Sequence, residues 1–295
     1  MRPATLFALA VTPLLVGAGV RSPAGTAVRP AGSLVVTPAW LAQHQDDPDL
    51  VILEISEEAE YRQGHIRRSR PVDPMTFHHH GTEFPPAAHF VPAVQALGIS
   101  NSSRIVLVGE PIYAAMTWMV FEYLGMGDRT LVLQGGKRGW TEAGNALTSE
   151  TPAYLGGTFV PQPRPDIIIG AALLAVQLRS PRLALIDGRS RGEFDGAEGG
   201  EVASPGHIPG AVNLDWERTF DASGTLLPAD SLRAMLAQAG YAPGDQLVFY
   251  CTVGMRASHL YFVARHLGLT PQIYLGSIAD WTSDPSRPVV RAEGP

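Results

Sequence analysis

The residues of this chain best suited to covalent chemistry lie in one short run, Cys251-Thr252-Val253-Gly254-Met255-Arg256. Cys251 is the single cysteine of the 295 residues and closes the apolar, β-rich stretch Gln246–Tyr250. After the run, ASHLYFVARHLG carries apolar residues three and four apart and reads as a helix. A residue at the C-terminal end of a parallel strand faces the crevice where α/β folds bind ligands. A short loop curling into a helix aims the backbone N–H groups of Thr252, Val253, Gly254, Met255 and Arg256 at one point, and the helix dipole adds positive potential there. Arg256 adds a full charge. All three effects favour thiolate over thiol. The expected product is an anion-lined cup with a nucleophilic sulfur at its floor. Cys251 and Arg256 are its catalytic candidates; Thr252, Val253, Gly254 and Met255 are its substrate-binding lining.

Other chemistries find less support. One cysteine precludes an intrachain disulfide and any multi-cysteine zinc site. The cluster His78-His79-His80, with His89 nearby, lacks a clear carboxylate partner, and adjacent histidines point different ways, so a surface loop is expected there and no metal. His259 reads as a packed or solvent-facing residue, and Trp118, Trp140 and Trp281 as core or interface. No cofactor is expected. The formal net charge of −6 leaves no basic excess to displace counterions, which argues against nucleic acid as a partner. With 45% hydrophobic and 17% charged residues, the chain has the composition of a packed globular protein.

The elements that hold Cys251 occur twice. Gly64-His65-Ile66 recurs as Gly206-His207-Ile208, and Arg104–Gly109 as Gln246–Cys251, both at a shift of 142 residues. LQGGKRGW answers to YLGSIADW at 141, and Val51–Glu54 to Ala184–Asp187 at 133. Several matches in one order indicate a duplication, with extra residues of the second half in DGAEGGEVASPGH. In each half, short strands (Leu50–Leu53, Arg104–Val108, Thr130–Leu133; Leu183–Ile186, Gln246–Tyr250, Gln272–Leu275) alternate with helices such as Ala114–Leu124 and Ala257–Leu267. That order predicts an α/β fold of two domains, each a parallel sheet flanked by helices. The expected boundaries are 33–148 and 166–290, joined by a Pro- and Gly-rich linker over 149–165. In the first half Gly109 takes the place of Cys251. Glu110 adds a negative charge and Pro111 removes an amide donor, so that half should be inert and help wall the cleft.

YCTVGMRASH, GHIPGA (206–211), DGRSRGEF (187–194) and the late Gly276…Trp281 resemble the rhodanese family over roughly residues 33–290. The resemblance implies two tandem rhodanese-like domains in which Cys251 accepts a sulfane sulfur and becomes a persulfide, as in thiosulfate sulfurtransferases. Phosphatases on the same fold place five residues between Cys and Arg, whereas four intervene here, which suits a cup for one sulfur atom rather than a phosphoryl group. Mercaptopyruvate-specific relatives carry a Gly/Ser-rich loop without this arginine, so the loop favours thiosulfate, with 3-mercaptopyruvate as the alternative donor. Glu193 stands where thiosulfate-using relatives carry a substrate-binding arginine, a departure for which Arg256 could compensate. Arg189 could bring a guanidinium to a dianionic donor; the alternative is a solvated loop arginine, as for Arg191. Asp187 and His207 are expected to be structural residues near the site.

The implied partners are a small anionic sulfur donor and a thiophilic acceptor, cyanide or a thiol. A protein acceptor stays open, and with it the alternative of a non-enzymatic persulfide carrier or binding module. Residues 1–27 run from one Arg through an acid-free apolar stretch to small residues at Ala24 and Ala27, the order of a secretory signal peptide. The apolar stretch falls short of the roughly 20 residues a spanning helix needs. The expectation is an exported, periplasmic or secreted protein with no stable membrane insertion after signal removal.

Overall fold

The computed structural model describes residues 32–78, 84–198, 206–222 and 224–291. The expected signal peptide, together with His79 and His80 of the histidine cluster, lies outside the described residues. The first half contains β1 (Val35–Val36), α1 (Pro38–His44), β2 (Leu50–Ile55), α2 (Glu58–Gln63), β3 (Ser69–Val72), α3 (Ala87–Ala96), β4 (Arg104–Gly109), α4 (Pro111–Tyr123), β5 (Thr130–Leu133) and α5 (Gly136–Glu142). The second contains α6 (Ala171–Gln177), β6 (Leu183–Asp187), α7 (Arg191–Asp195), β7 (Val212–Asn213), α8 (Ala229–Gln238), β8 (Gln246–Tyr250), α9 (Met255–His266), β9 (Gln272–Ile273) and α10 (Ser277–Ser283).

The strand orders are β1-β5-β4-β2-β3 and β7-β6-β8-β9, and every ladder is parallel. Parallel strands with crossover helices are covered on both faces, which is why β2 is buried at all six positions and β8 at four of five. The two halves meet along α4 and α9. Both helices are buried nearly all round: ten consecutive residues of α4, Ala114–Tyr123, are buried, as are Ala257–Ala264 of α9. Trp118 packs edge-on to Phe262 with ring centroids 5.2 Å apart, and its indole N–H donates to Thr130 O at 2.9 Å. Glu122, buried in the same seam, receives Arg265 Nε at 2.9 Å and Arg164 Nη1 at 2.8 Å. Burial raises its pKa against the pull of both arginines. The apolar core runs unbroken from one half to the other through this seam. Among the described residues no helix is long and apolar enough to cross a membrane.

Candidate active site

β8 ends at Tyr250, so Cys251 leaves the sheet at its C-terminal edge, between β6 and β9. Gly254 is at φ +93, the left-handed region that lets the chain reverse into α9 within three residues. A side chain there would put Cβ 2.9 Å from Leu275 O, so the turn requires glycine on two counts. The reversal places Gly254 N–H 3.1 Å from Cys251 Sγ. Ser277, also in the left-handed region at φ +56, fixes the loop from the other side. Its Oγ accepts the Cys251 N–H at 3.0 Å, lies 3.9 Å from Sγ, and donates to Tyr274 O at 2.9 Å. Cys251 is 1% exposed. Its sulfur is buried at the edge of the apolar core, with an amide donor against it.

Of the five amides expected to converge on the sulfur, Gly254's is the one hydrogen-bonded to it among the described residues. The remainder of the cup is organised by side chains. Arg256, in the first turn of α9, donates to both carboxylate oxygens of Glu193, at 2.5 and 3.0 Å, and also to Thr252 Oγ1. Thr252 Oγ1 in turn donates to Glu193 Oε1 at 3.2 Å. Glu193 is fixed by the capping box of α7, in which Ser190 Oγ accepts the Glu193 N–H while Glu193 Oε2 accepts the Ser190 N–H. Burial acts to raise the Glu193 pKa, but the hydrogen bonds and charge of Arg256 override it and hold the carboxyl at about 2. Burial likewise opposes the charge on Arg256, and the pairing with Glu193 keeps its pKa above the ordinary value. The expectation of an uncompensated positive charge beside the thiol is therefore corrected: Arg256 and Glu193 form a two-pronged pair at the rim, and their charges cancel. Thr252 is a member of that network, and Val253 and Met255 are half-exposed in the loop and first turn.

Arg189 is a second correction. It is 1% exposed, and its Nε and Nη2 are both taken by Asp187, with Nη2 also donating to Gly206 O at 2.8 Å. A guanidinium this deeply buried and bound through Nε and Nη2 to a buried carboxylate is held as part of the frame rather than as the solvated loop arginine. It is instead a strut: Asp187 at the end of β6, Arg189 and the Gly206 carbonyl tie the two loops beneath the cup. His207 closes the same layer. Its ring stacks on Phe194 at 3.7 Å and Nδ1 bonds Phe194 O at 2.8 Å, while its backbone pairs with Val290. GHIPGA thus supports α7, the helix that carries Glu193. Arg191 is exposed and pairs with Asp195. His259 is buried, bonded to Thr219 Oγ1 at 2.8 Å, and burial pushes its pKa down to about 3, so it is neutral packing. No group of three or more histidines, cysteines and carboxylates poised for a metal occurs among the described residues. The residue that sequence reasoning missed is Ser277. The match of LQGGKRGW to YLGSIADW placed it opposite Gly136, but nothing in that spacing reveals a side chain turned back toward Cys251.

In the first half the cup is absent for a steric as well as a chemical reason. A Cβ at Gly109 would lie 2.9 Å from Ile55 O, so a cysteine cannot occupy that position without moving β2. Glu110 and Pro111 begin α4 where an anion would otherwise sit.

The model of the rhodanese-like domain matches the chain twice, over residues 37–143 and 171–284. The chain belongs to the rhodanese-like domain family. Similar full-length rhodanese relatives include one named "Probable 3-mercaptopyruvate sulfurtransferase" in Pseudomonas aeruginosa, 32% identical over 88% of this chain and 98% of its own. The sulfur carrier protein TtuD of Thermus thermophilus is 30% identical over 88% and 97%. The thiosulfate sulfurtransferase of Azotobacter vinelandii is 29% identical over 87% and 96%. Among solved structures, Escherichia coli SseA superposes with a TM-score of 0.72 at 23% identity over 83% of this chain and 98% of its own. EanB superposes with a TM-score of 0.80 at 22% identity over 88% and 69%. Those two likenesses establish the tandem rhodanese fold.

Proposed function

We propose that this rhodanese is a sulfurtransferase that carries sulfane sulfur as a persulfide on Cys251, with thiosulfate as donor. The observation that carries the reading is the Gly254 N–H held 3.1 Å from Sγ by a loop with four residues between Cys251 and Arg256. In the loading step the Cys251 thiolate attacks the outer sulfur of thiosulfate; a new S–S bond forms, the old one breaks, and sulfite leaves with its electron pair. The persulfide carries its negative charge on the outer sulfur, and the Gly254 amide on Sγ stabilises the thiolate that attacks and is later regenerated. A thiophilic acceptor, cyanide or a thiol, then takes the outer sulfur and returns Cys251 as thiolate, which gives ping-pong kinetics. Arg256 is the cation nearest the cup, and meeting a dianionic donor requires it to share or leave Glu193.

Thiosulfate with cyanide should give thiocyanate, and intact mass should show one added sulfur on the wild type and none on Cys251→Ser. Retained loading in that variant would refute the assignment. Comparison of kcat/KM for thiosulfate and 3-mercaptopyruvate decides the donor; a strong preference for the latter overturns thiosulfate. The kinship with a sulfur carrier favours a second acceptor class, a protein. Sulfur loading without turnover of any small acceptor would support that reading. Export belongs to the same proposal and rests on residues 1–27; N-terminal sequencing of protein from the periplasmic or secreted fraction tests it.

A further inference from the structure

A cavity of about 590 Å³ does not open on Cys251. It lies at the C-terminal edge of the first sheet, where the duplication places the counterpart of the sulfur cup, and the second half closes it with Phe220, Leu226, His259 and Phe262. None of Cys251, Thr252, Glu193, Arg256 and Ser277 lines it. The volume falls in the range of small-molecule sites.

Position by position, its polar floor differs in kind from the cup. Glu54 stands for Asp187, Ser56 for Arg189, Glu60 for Glu193, Gly109 for Cys251 and Glu110 for Thr252. The buried cation of the second half, Arg189, has become a hydroxyl. Ser56 is 8% exposed, and its Oγ has no hydrogen-bond partner. Glu54 is 1% exposed; its Oε2 accepts Ile66 N–H and Ser69 Oγ, while Oε1 accepts no hydrogen bond and has only the ionic contact of Lys137 at 3.3 Å. Lys137 is itself fully engaged, with Nζ 2.6 Å from Glu60 Oε1 and 3.4 Å from Gly64 O. Three carboxylates (Glu54, Glu60, Glu110) face two cations (Lys137, Arg138) in the lining, so the polar floor has an excess of negative charge, and Ser56 Oγ is a buried hydroxyl without a partner. The opposite walls, Ile55, Leu226 and Phe262 among them, are apolar.

We propose that this cavity is a second ligand site, selective for a small organic primary ammonium compound with an apolar body. The ammonium supplies a donor to Ser56 Oγ under the field of Glu60 and Glu110, and the apolar body lies against the walls contributed by Phe262 of α9 and by Phe220 and Leu226. An anion is disfavoured there by the same carboxylates that abolish the cup. Because α9 lines this cavity with His259 and Phe262 and carries Arg256 at its start, the ligand bridges the two halves across the helix that positions the sulfur site.

The test uses the full chain and 4-fluorobenzylamine followed by fluorine NMR, with 4-fluorobenzoate as the anionic counterpart. Saturable binding of the amine and not of the benzoate is expected, persisting after Cys251 is alkylated with iodoacetamide and in the presence of thiosulfate. Glu110→Lys, on the exposed rim, should weaken the amine by roughly five- to tenfold, since attraction becomes repulsion, while thiosulfate turnover stays at the wild-type level. Ser56→Ala, which removes a hydroxyl that has no partner and leaves the fold undisturbed, should weaken it severalfold. Non-saturable binding, equal binding of the benzoate, competition by thiosulfate, or wild-type affinity in both variants would each overturn the proposal.

Discussion

Replacing Glu193 by Gln separates the two functions that the Arg256 pair combines, holding the loop and setting the charge at the rim. The carboxyl is held at about 2 against an ordinary 4.5. Taken at face value that displacement corresponds to about 3 kcal/mol. Glu193 and Arg256 side chains keep 12% and 25% of their surface exposed, and solvent screening reduces the figure to about 1–2 kcal/mol. Because the folded-state pKa is depressed, the stabilisation is complete above pH 4.5 and is lost as pH falls through about 2. Urea denaturation should therefore find Glu193→Gln less stable than wild type by about 1–2 kcal/mol at pH 7, with the gap closing toward pH 2. Activity should move the opposite way. With the carboxylate gone, Arg256 presents an uncompensated charge to thiosulfate, so KM should fall by roughly three- to tenfold, equivalent to about 0.7–1.4 kcal/mol, and should rise more steeply with salt than in wild type. An unchanged or higher KM for thiosulfate, at unchanged salt dependence, would refute the idea that Glu193 restrains Arg256. A stability difference independent of pH between 7 and 2 would refute the electrostatic account of the pair.

Three further changes probe the frame around the cup. Gly254→Ala forces a side chain into φ +93 and onto Leu275 O; a loss of about 1–3 kcal/mol and a marked fall in sulfur loading by intact mass are expected, and normal loading would show that the Gly254 amide is dispensable. Asp187→Asn leaves the buried Arg189 without its counter-charge and should cost about 3–5 kcal/mol by urea denaturation; a cost below 1 kcal/mol would contradict the strut. Trp118→Ala opens the α4–α9 seam and should cost about 3–5 kcal/mol, with one cooperative transition; two separated transitions in calorimetry would mean that the halves are not coupled through this seam.

Strands β2, β4, β5, β6 and β8 were legible because each is a mostly apolar run, as a doubly covered parallel sheet requires, and helices α4 and α9 because their apolar residues recur three and four apart. The two-residue strands β1 and β7 carry no periodicity to read, and β3 (Ser69–Val72) contains an arginine and a proline at its half-exposed positions, as an edge strand can. At the site, the cysteine, the helix start and the turn glycine were legible from local order alone. The partners of the arginines were not. Arg189 and Asp187 sit two residues apart, a spacing that does not imply contact, and Arg256 meets Glu193 across 63 residues of chain. Ser277 escaped for the same reason: its role depends on a left-handed backbone angle that a serine rarely adopts.

The duplication explains why a charge pair, rather than a lone cation, guards the sulfur. Both halves keep a glutamate on the helix after the second residue of the loop, Glu60 in α2 and Glu193 in α7, and both give it a cation. In the first half the cation is Lys137 of α5, which also contacts the buried Glu54. In the second it is Arg256 of α9, one helix turn beyond the nucleophile, while the buried Asp187 is served separately by Arg189. Splitting the two tasks between two arginines leaves the rim pair adjustable, since opening Glu193 from Arg256 exposes no buried carboxylate. In the first half, moving Lys137 would strip Glu54 of its counter-charge in a site 1% exposed. The same scaffold therefore yields one rim that can open to an anion and another that cannot, and the difference resides in which helix supplies the cation.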